Sequence, residues 1–398
     1  MFNKMSKSLR CLIILLGIVI LASLAASLVQ SSFGSVEVSK VSFTTDKGEL
    51  TGYLYVPKGV DKDNPAPAIV TTHGYLNNAE MQEITAIEMS RRGFVVLAFD
   101  MYDHGDSTWS GDSQPFGFYV TSVYDAVQYM YEKDIVLKDE AGNGMIGVSG
   151  HSMGGFSTTQ AVVLDEVDFA TNGYRKITVA LSVGSDMRYV QAADPIGAYG
   201  PRSGGIIGAH YDQFFFDTVG GAEGSVIYKD YAADPQGLVF LGRAEGETAE
   251  AGIFYNVAGG QRVVYTPDET HPQNTWSLET GSNTIEFYEK AFKFQLAEND
   301  LDSLDAYGIE TGKTGQAWWL KEAFTLTALL ALFILIFPLF NVITALPFFN
   351  KALKDEEGVQ IMRVLGKNMA WCLKLIENGK GMVDEPKRED KIFTNFIR

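Results

Sequence analysis

Cysteine is almost missing from this chain. Its 398 residues contain two, Cys11 and Cys372, and the long middle of the sequence has none. A disulfide framework, a thiolate zinc cluster and a cysteine nucleophile are therefore excluded there. Histidine is also scarce, at five residues, so any search for a catalytic base has few positions to consider. Positive charge is short as well: 32 Lys and Arg stand against 49 Asp and Glu, a formal net charge of −17. Between residues 31 and 317 the imbalance sharpens to 18 against 40. Phosphate binding needs a basic face, so this acidic balance argues against nucleic acid as a partner. Nothing in the sequence resembles a metal site, and no cofactor is implied.

Charge is missing altogether from two stretches. Cys11 to Val29 is apolar and follows Lys4, Lys7 and Arg10; Phe324 to Phe349 is apolar and lies between Trp318, Trp319 and Lys321 on one side and Lys351 and Lys354 on the other. Each can cross a hydrocarbon core of about 30 Å. The first reads as a signal-anchor, or as a cleaved signal peptide with its site near Ser23-Leu24-Ala25. The second, with Pro338, Asn341 and Pro347, reads as one kinked span with a Trp belt at its start. The expected organisation is a cytoplasmic N-terminus and anchor over 1–32, a folded domain over 33–300, a linker over 301–317, a transmembrane segment over 318–349 and a cytoplasmic tail over 350–398. The acidic middle, between ends richer in Lys and Arg, suits export of that domain across a cell membrane. In the tail, Ile361, Met362, Leu365, Met369, Cys372 and Ile376 share one helical face. This face suits the inner membrane surface or a partner, or belongs to a plain cytoplasmic helix.

The middle alternates short apolar runs with amphipathic ones. Strands are expected at Val36–Phe43, Leu50–Val56, Ala68–Thr72, Phe94–Phe99, Met145–Val148, Ile177–Val183, Gly237–Leu241 and Arg262–Tyr265. Helical spacing covers Ala79–Arg92, Tyr119–Tyr131, Phe156–Leu164 and Asn283–Leu296. Near-continuous apolar strands alternating with helices give an α/β fold: a mostly parallel, eight-stranded sheet covered on both faces. The alternation stops over 185–236, which reads as an insertion before the seventh strand and a candidate lid or pocket wall. Its aromatics, Tyr189, Tyr199, Tyr211 and Phe214 to Phe216, are expected mostly to form a small core.

The chemistry gathers at Gly150-His151-Ser152-Met153-Gly154, a G-x-S-x-G pattern between a buried strand and a helix. That setting places Ser152 on a sharp turn, its hydroxyl at the carboxyl end of the sheet and glycines where strand and helix meet. A serine nucleophile needs a base and an acid to orient it. His271 follows the last strand, where a parallel sheet collects reactive groups. For the acid, Glu245 just beyond the strand expected at 237–241 is preferred, with Glu247 and Asp186 as alternatives. His73, His104 and His151 sit in turns near the site, and His210 in the insertion suits the surface or a pocket wall.

Together His73-Gly74, Asp103-His104-Gly105-Asp106-Ser107, the Ser152 pentapeptide, Glu245 and His271 resemble the α/β-hydrolase superfamily, in its esterase/lipase-like and dienelactone-hydrolase-like branches, over residues 36 to 298. The resemblance implies a serine hydrolase with a Ser-His-Glu triad and an oxyanion hole formed by the backbone N–H groups of Tyr75 and Met153. It also implies that His104 is structural. Glu at the acid position in place of the commoner Asp is a departure, as is the absence of a Gly-rich extension after His73-Gly74. The expected activity is hydrolysis of a carboxylic ester, in a small-molecule or lipid-like acyl substrate, through an acyl-enzyme. Peptidase, thioesterase or acyltransferase chemistry on the same triad is the alternative. A catalytically silent membrane interaction protein is the alternative of another class.

Overall fold

The computed structural model describes residues 5–110, 117–216, 228–244, 246–347 and 355–378. The chain divides into two units, Ala26–Glu322 and a second that joins Met1–Ala25 to Ala323–Arg398.

In the first unit a nine-stranded sheet has the order β1-β2-β4-β3-β5-β6-β7-β9-β8. Its strands are β1 Val36–Thr45, β2 Gly48–Pro57, β3 Ala68–Thr72, β4 Val95–Phe99, β5 Ile146–His151, β6 Ile177–Val183, β7 Ser203–Ile207, β8 Tyr255–Val257 and β9 Gly260–Tyr265. The six from β4 to β9 in that order are parallel, while β1, β2 and β8 are antiparallel to their neighbours. The sheet buries both faces because its strands carry apolar side chains on both. Val70 of β3 and Leu97 of β4 face a cluster with Val123, Val127, Phe156 and Ala161, which belong to helices α3 (Phe118–Tyr131) and α4 (Met153–Asn172). Their neighbours Ile69 and Val96 point the other way, towards Ala86, Met89, Phe287 and Phe292 on α2 (Glu83–Ser90) and α6 (Leu278–Glu298). Each fully buried aliphatic side chain contributes roughly 1.5–3 kcal/mol, so a one-residue slip in any central strand would be costly.

Two expectations about the second half of the sheet are corrected. Gly237–Leu241 is not a strand: Pro235–Phe240 is a short helix, α5, capped by the Asp234 side chain accepting from Gln236 N–H, with Pro235 in its first turn. Asp-Pro is a helix-start signal, and it outweighs the apolar run that follows. The segment 185–236 is not wholly an insertion, because it contains β7, between β6 and β9. The Ser-Gly-Gly start of β7 hides it from an apolar pattern. Those glycines are packing residues: a Cβ on Gly204 would lie 2.8 Å from the Tyr199 ring, and one on Gly205 2.7 Å from the Phe287 ring. With β8 the sheet has nine strands among the described residues, where eight were expected.

In the second unit Leu12, Leu15 and Val19 of α1 (Lys7–Gln30) pack against Ala331 and Leu335 of α7 (Trp318–Thr344). Both helices are long and apolar enough to cross a membrane, and α7 continues through Pro338. Large apolar side chains on both are exposed, Leu21, Phe333 and Phe337 among them. The helix Glu356–Asn378 belongs to the same unit.

Candidate active site

β5 is the middle strand of the nine. From β3 the chain goes to β4 on one side and then to β5 on the other, and the crevice beyond the carboxyl ends of strands at such a reversal is where an open α/β sheet places its ligand. The two loops there are His73–Leu76 after β3 and the turn at Ser152 after β5.

Ser152 is the single residue between β5 and α4. Its backbone has φ 57° and ψ −117°, a left-handed conformation that costs a non-glycine residue about 1–3 kcal/mol. Its N–H donates to Val183 O at 2.8 Å, and its carbonyl accepts from Gly155 and Phe156, so both ends of the turn are tied down. The pentapeptide's glycines are contact points. A Cβ on Gly150 would lie 2.3 Å from the backbone of Gly154, and one on Gly154 would lie 2.5 Å from His73 O. Met153 opens α4, where helix amides face developing negative charge.

His271 opens the 3-10 turn His271–Thr275 beyond β9. Its ring packs 4.5 Å, centroid to centroid, from that of His151, and His151 Nε2–H donates to His271 O at 3.0 Å. Gly184, at φ +58°, makes this approach possible, since a Cβ there would press at 3.2 Å on both His151 and His271 Cε1. Thus His151, covalently next to Ser152, carries the His271 segment to the elbow. Burial lowers the His151 pKa to about 3, so its ring is neutral, and Nε2–H as donor leaves Nδ1 as its acceptor.

The carboxylate on His271 is Asp212, which is none of the three acids expected from the sequence. His271 Nδ1–H donates to Asp212 Oδ2 at 2.7 Å. The other carboxylate oxygen accepts from Phe214 N–H at 2.8 Å and Phe215 N–H at 2.9 Å, and Asp212 is fully buried. Glu245, the preferred acid, lies outside the described residues, and the Nδ1 position it was expected to fill is occupied by Asp212. Asp186 pairs instead with Arg188 at 2.8 Å and accepts from Phe216 N–H. Glu247 accepts from Ala244 N–H within its own loop. The miss follows from the strand assignment, because Asp212 stands five residues past β7. The signals for it were Asp-Pro at 234–235, which makes the next run a helix, and Ile206-Ile207 followed by a loop carrying an acid.

The His73–Leu76 loop lies directly on the elbow, a Cβ on Gly74 reaching 3.1 Å from Ser152 Cβ. Two histidines fix it. His73 is buried, donates from Nδ1 to Gly74 O at 2.7 Å and accepts from Met101 N–H at Nε2 at 3.0 Å; burial lowers its pKa to about 4. His104 donates from Nδ1 to Tyr102 O and accepts the Leu76 N–H at Nε2, at 3.1 Å. Its two nitrogens therefore tie the loop to the segment that follows β4. Around the crevice stand Tyr75 stacked on Phe118, and Phe214 and Phe215 at 5.0 and 5.3 Å from the His271 ring. Of the aromatics assigned to a small core, Tyr199, Phe215 and Phe216 are buried, whereas Tyr189, Tyr211 and Phe214 are exposed. His210 Nδ1 is 2.8 Å from Asp268 Oδ1.

A mostly parallel sheet, helices on both faces and a serine at a strained strand-to-helix turn define the class: a serine hydrolase on the α/β-hydrolase fold. Residues 63–173, from the loop before β3 to the end of α4, match the family model described as serine aminopeptidase, S33. No curated protein matches the sequence. Similar solved structures include Est1E of Butyrivibrio proteoclasticus with ferulic acid bound (15% identity, 63% of this chain and 98% of that one, TM-score 0.42). An esterase of Pyrococcus furiosus is similar at 15% identity over 66% of this chain and 96% of that one, TM-score 0.42. The α/β hydrolase GrgF of a Penicillium species is similar at 12% identity over 64% and 99%, TM-score 0.41.

Proposed function

We propose that the chain is a membrane-anchored serine hydrolase that cleaves a carboxylic ester through Ser152, His271 and Asp212. The observation that carries this reading is the hydrogen bond from His271 Nδ1–H to fully buried Asp212. It leaves the lone pair on Nε2, the form a general base needs. His271 takes the Ser152 hydroxyl proton as Oγ attacks the acyl carbon. The carbonyl oxygen becomes an oxyanion facing the N–H groups of Tyr75 and Met153. Collapse expels the alcohol, protonated by His271, and leaves Ser152 acylated. Water, deprotonated by His271, then attacks the ester, releases the acid and restores the serine. The Asp212 carboxylate accepts from Nδ1–H throughout and stabilises the imidazolium.

The membrane part of the proposal rests on α1 and α7, whose exposed apolar side chains need a hydrocarbon surrounding. Lys7 and Arg10 lie in the first turn of α1, and the acidic segment lies between the two helices. In this reading both termini are cytoplasmic, residues 33–300 are the catalytic domain outside, 301–317 the linker and 318–349 the returning span.

A fluorophosphonate probe on the full chain in detergent micelles tests the chemistry. Labelling at Ser152, abolished by Ser152→Ala, is expected; folded protein that takes up no label refutes the enzyme. Because the family model is described as an aminopeptidase, amide cleavage is the second reading. Turnover of aminoacyl p-nitroanilides exceeding that of p-nitrophenyl esters would select it.

A further inference from the structure

Beside the catalytic loops lies a cavity of about 430 Å³ lined by Met81, Thr275, Trp276, Trp318 and Trp319, with Glu80, Glu83 and Glu322 also on its walls. Two segments that follow the site loops, and are not part of them, form one side of it. Thr275 and Trp276 close the turn that His271 opens, and Met81 is in the turn Ala79–Gln82 that follows the Tyr75 loop. A smaller cavity behind shares Met81 and Thr275 and reaches His151, the residue before Ser152. The opposite side is the first turn of α7.

That turn is rigidly seated. Glu88, fully buried, accepts from Ala317 N–H at 2.6 Å and Trp318 N–H at 2.9 Å while pairing with Arg92 at 2.6 Å. Trp318 packs against Ile84 and Ile87, and Lys321 pairs with Glu83. Both indole N–H groups are already used: Trp318 Nε1 donates to Gln316 Oε1 at 2.8 Å, and Trp319 Nε1 donates to Gln316 O at 3.1 Å. The two rings therefore give the cavity apolar faces without a donor. Trp276 is 64% exposed and Trp319 46%, large apolar surfaces left to water unless something covers them.

We propose that this cavity holds the hydrocarbon chain of an uncharged ester dissolved in the membrane, so that Ser152 acts on a lipid-like substrate taken from the bilayer. The inference rests on the hydrolase reading above and names its substrate class. Two features select the occupant. The cavity wall is the first turn of an apolar helix of 27 residues, and paired Trp residues at the end of a span mark the level where the bilayer meets water. Three carboxylates against Lys321 disfavour an anionic amphiphile there, which leaves a neutral chain.

The test uses the full chain in phosphatidylcholine nanodiscs with p-nitrophenyl butyrate and p-nitrophenyl laurate. Trp276→Ala and the cavity-filling Met81→Trp are expected to lower kcat/KM for laurate by roughly 10-fold or more while butyrate turnover stays within about twofold. Equal loss on both esters, or no loss on either, overturns the proposal. A diacylglycerol analogue with a mid-chain diazirine is expected to crosslink the peptide containing Trp276 or the first turn of α7; crosslinks confined to α7 beyond Glu322 overturn it too. Fluorophosphonate labelling and butyrate turnover of the unaltered protein separate the two readings. If both are present and the laurate result fails, the substrate class alone is wrong. If both are absent, the hydrolase reading falls and this one with it.

Discussion

Asp212 and His271 are joined side chain to side chain at 2.7 Å, and their backbones are laced together as well. Tyr211 N–H donates to Glu269 O at 3.0 Å, His210 N–H donates to Pro267 O at 2.9 Å, and His271 N–H reaches Gln213 Oε1 at 3.2 Å. Residues 211 and 270 thus bridge in parallel, extending the pairing of β7 with β9 beyond the strands themselves. Acid and base are delivered by adjacent strands and cannot drift apart independently.

Asp212→Asn should therefore lower kcat by about 10³–10⁴-fold, because the amide favours the wrong imidazole tautomer while keeping the shape. Glu245→Gln should leave kcat within about twofold, since Asp212 already holds His271 Nδ1. Steady-state hydrolysis of p-nitrophenyl butyrate decides between them. If Glu245→Gln gives the large loss, Asp212 is not the orienting acid.

Glu269 is a positioning residue for His271. Its carboxylate, buried between β9 and α6, accepts from Asn274 Nδ2 and Thr280 Oγ1 at 2.8 Å each, and from Ser277 Oγ. These bonds fold the segment 271–280 back on itself. Glu269→Gln turns an NH₂ towards donors, at about 1–3 kcal/mol. The expected result is a kcat loss with little change in KM for butyrate, at preserved far-ultraviolet circular dichroism. A change in KM alone would argue against a positioning role.

The glycines of the elbow tolerate no side chain. Gly150→Ala sets a methyl 2.3 Å from the Gly154 backbone, and neither segment can yield without moving β5 or α4. Destabilisation by roughly 3 kcal/mol or more is expected, read as a lower midpoint in urea with an unchanged slope. A midpoint equal to the parent's would mean that the strand and helix are not packed as described.

Stability should fall below neutral pH before ordinary carboxylates titrate. His73 and His151 are held neutral by burial, their pKa values lowered to about 4 and about 3. In the unfolded chain both titrate near 6.5. Between those values the unfolded state binds more protons, so stability is complete above about pH 6.5 and is lost as pH falls towards 4 and 3. By pH 5 the loss is about 2 kcal/mol for each histidine. Urea midpoints at pH 7.5, 6 and 5 measure it; a flat response over that interval would show that the two rings are solvated.

Much of this was legible in the sequence because local physics leaves local marks. The apolar runs of β3 to β6 and β9, the amphipathic helices and the two long apolar helices announce themselves by composition and period, and Gly150 to Gly154 announces the elbow by spacing. His271 could be picked out because few histidines exist. The acid could not be placed that way. Ser203-Gly204-Gly205 is a strand only because Tyr199 and Phe287, from elsewhere in the chain, fill the space that side chains would occupy, while the more apolar 237–241 is helical because Asp234 and Pro235 start a helix. Which of 49 acidic residues meets His271 depends on strand order, and strand order is decided by packing between distant segments. The sequence by itself determined the class of chemistry. Only the tertiary structure put Asp212 beside His271 and brought Trp318 to the wall of the same catalytic face as Trp276.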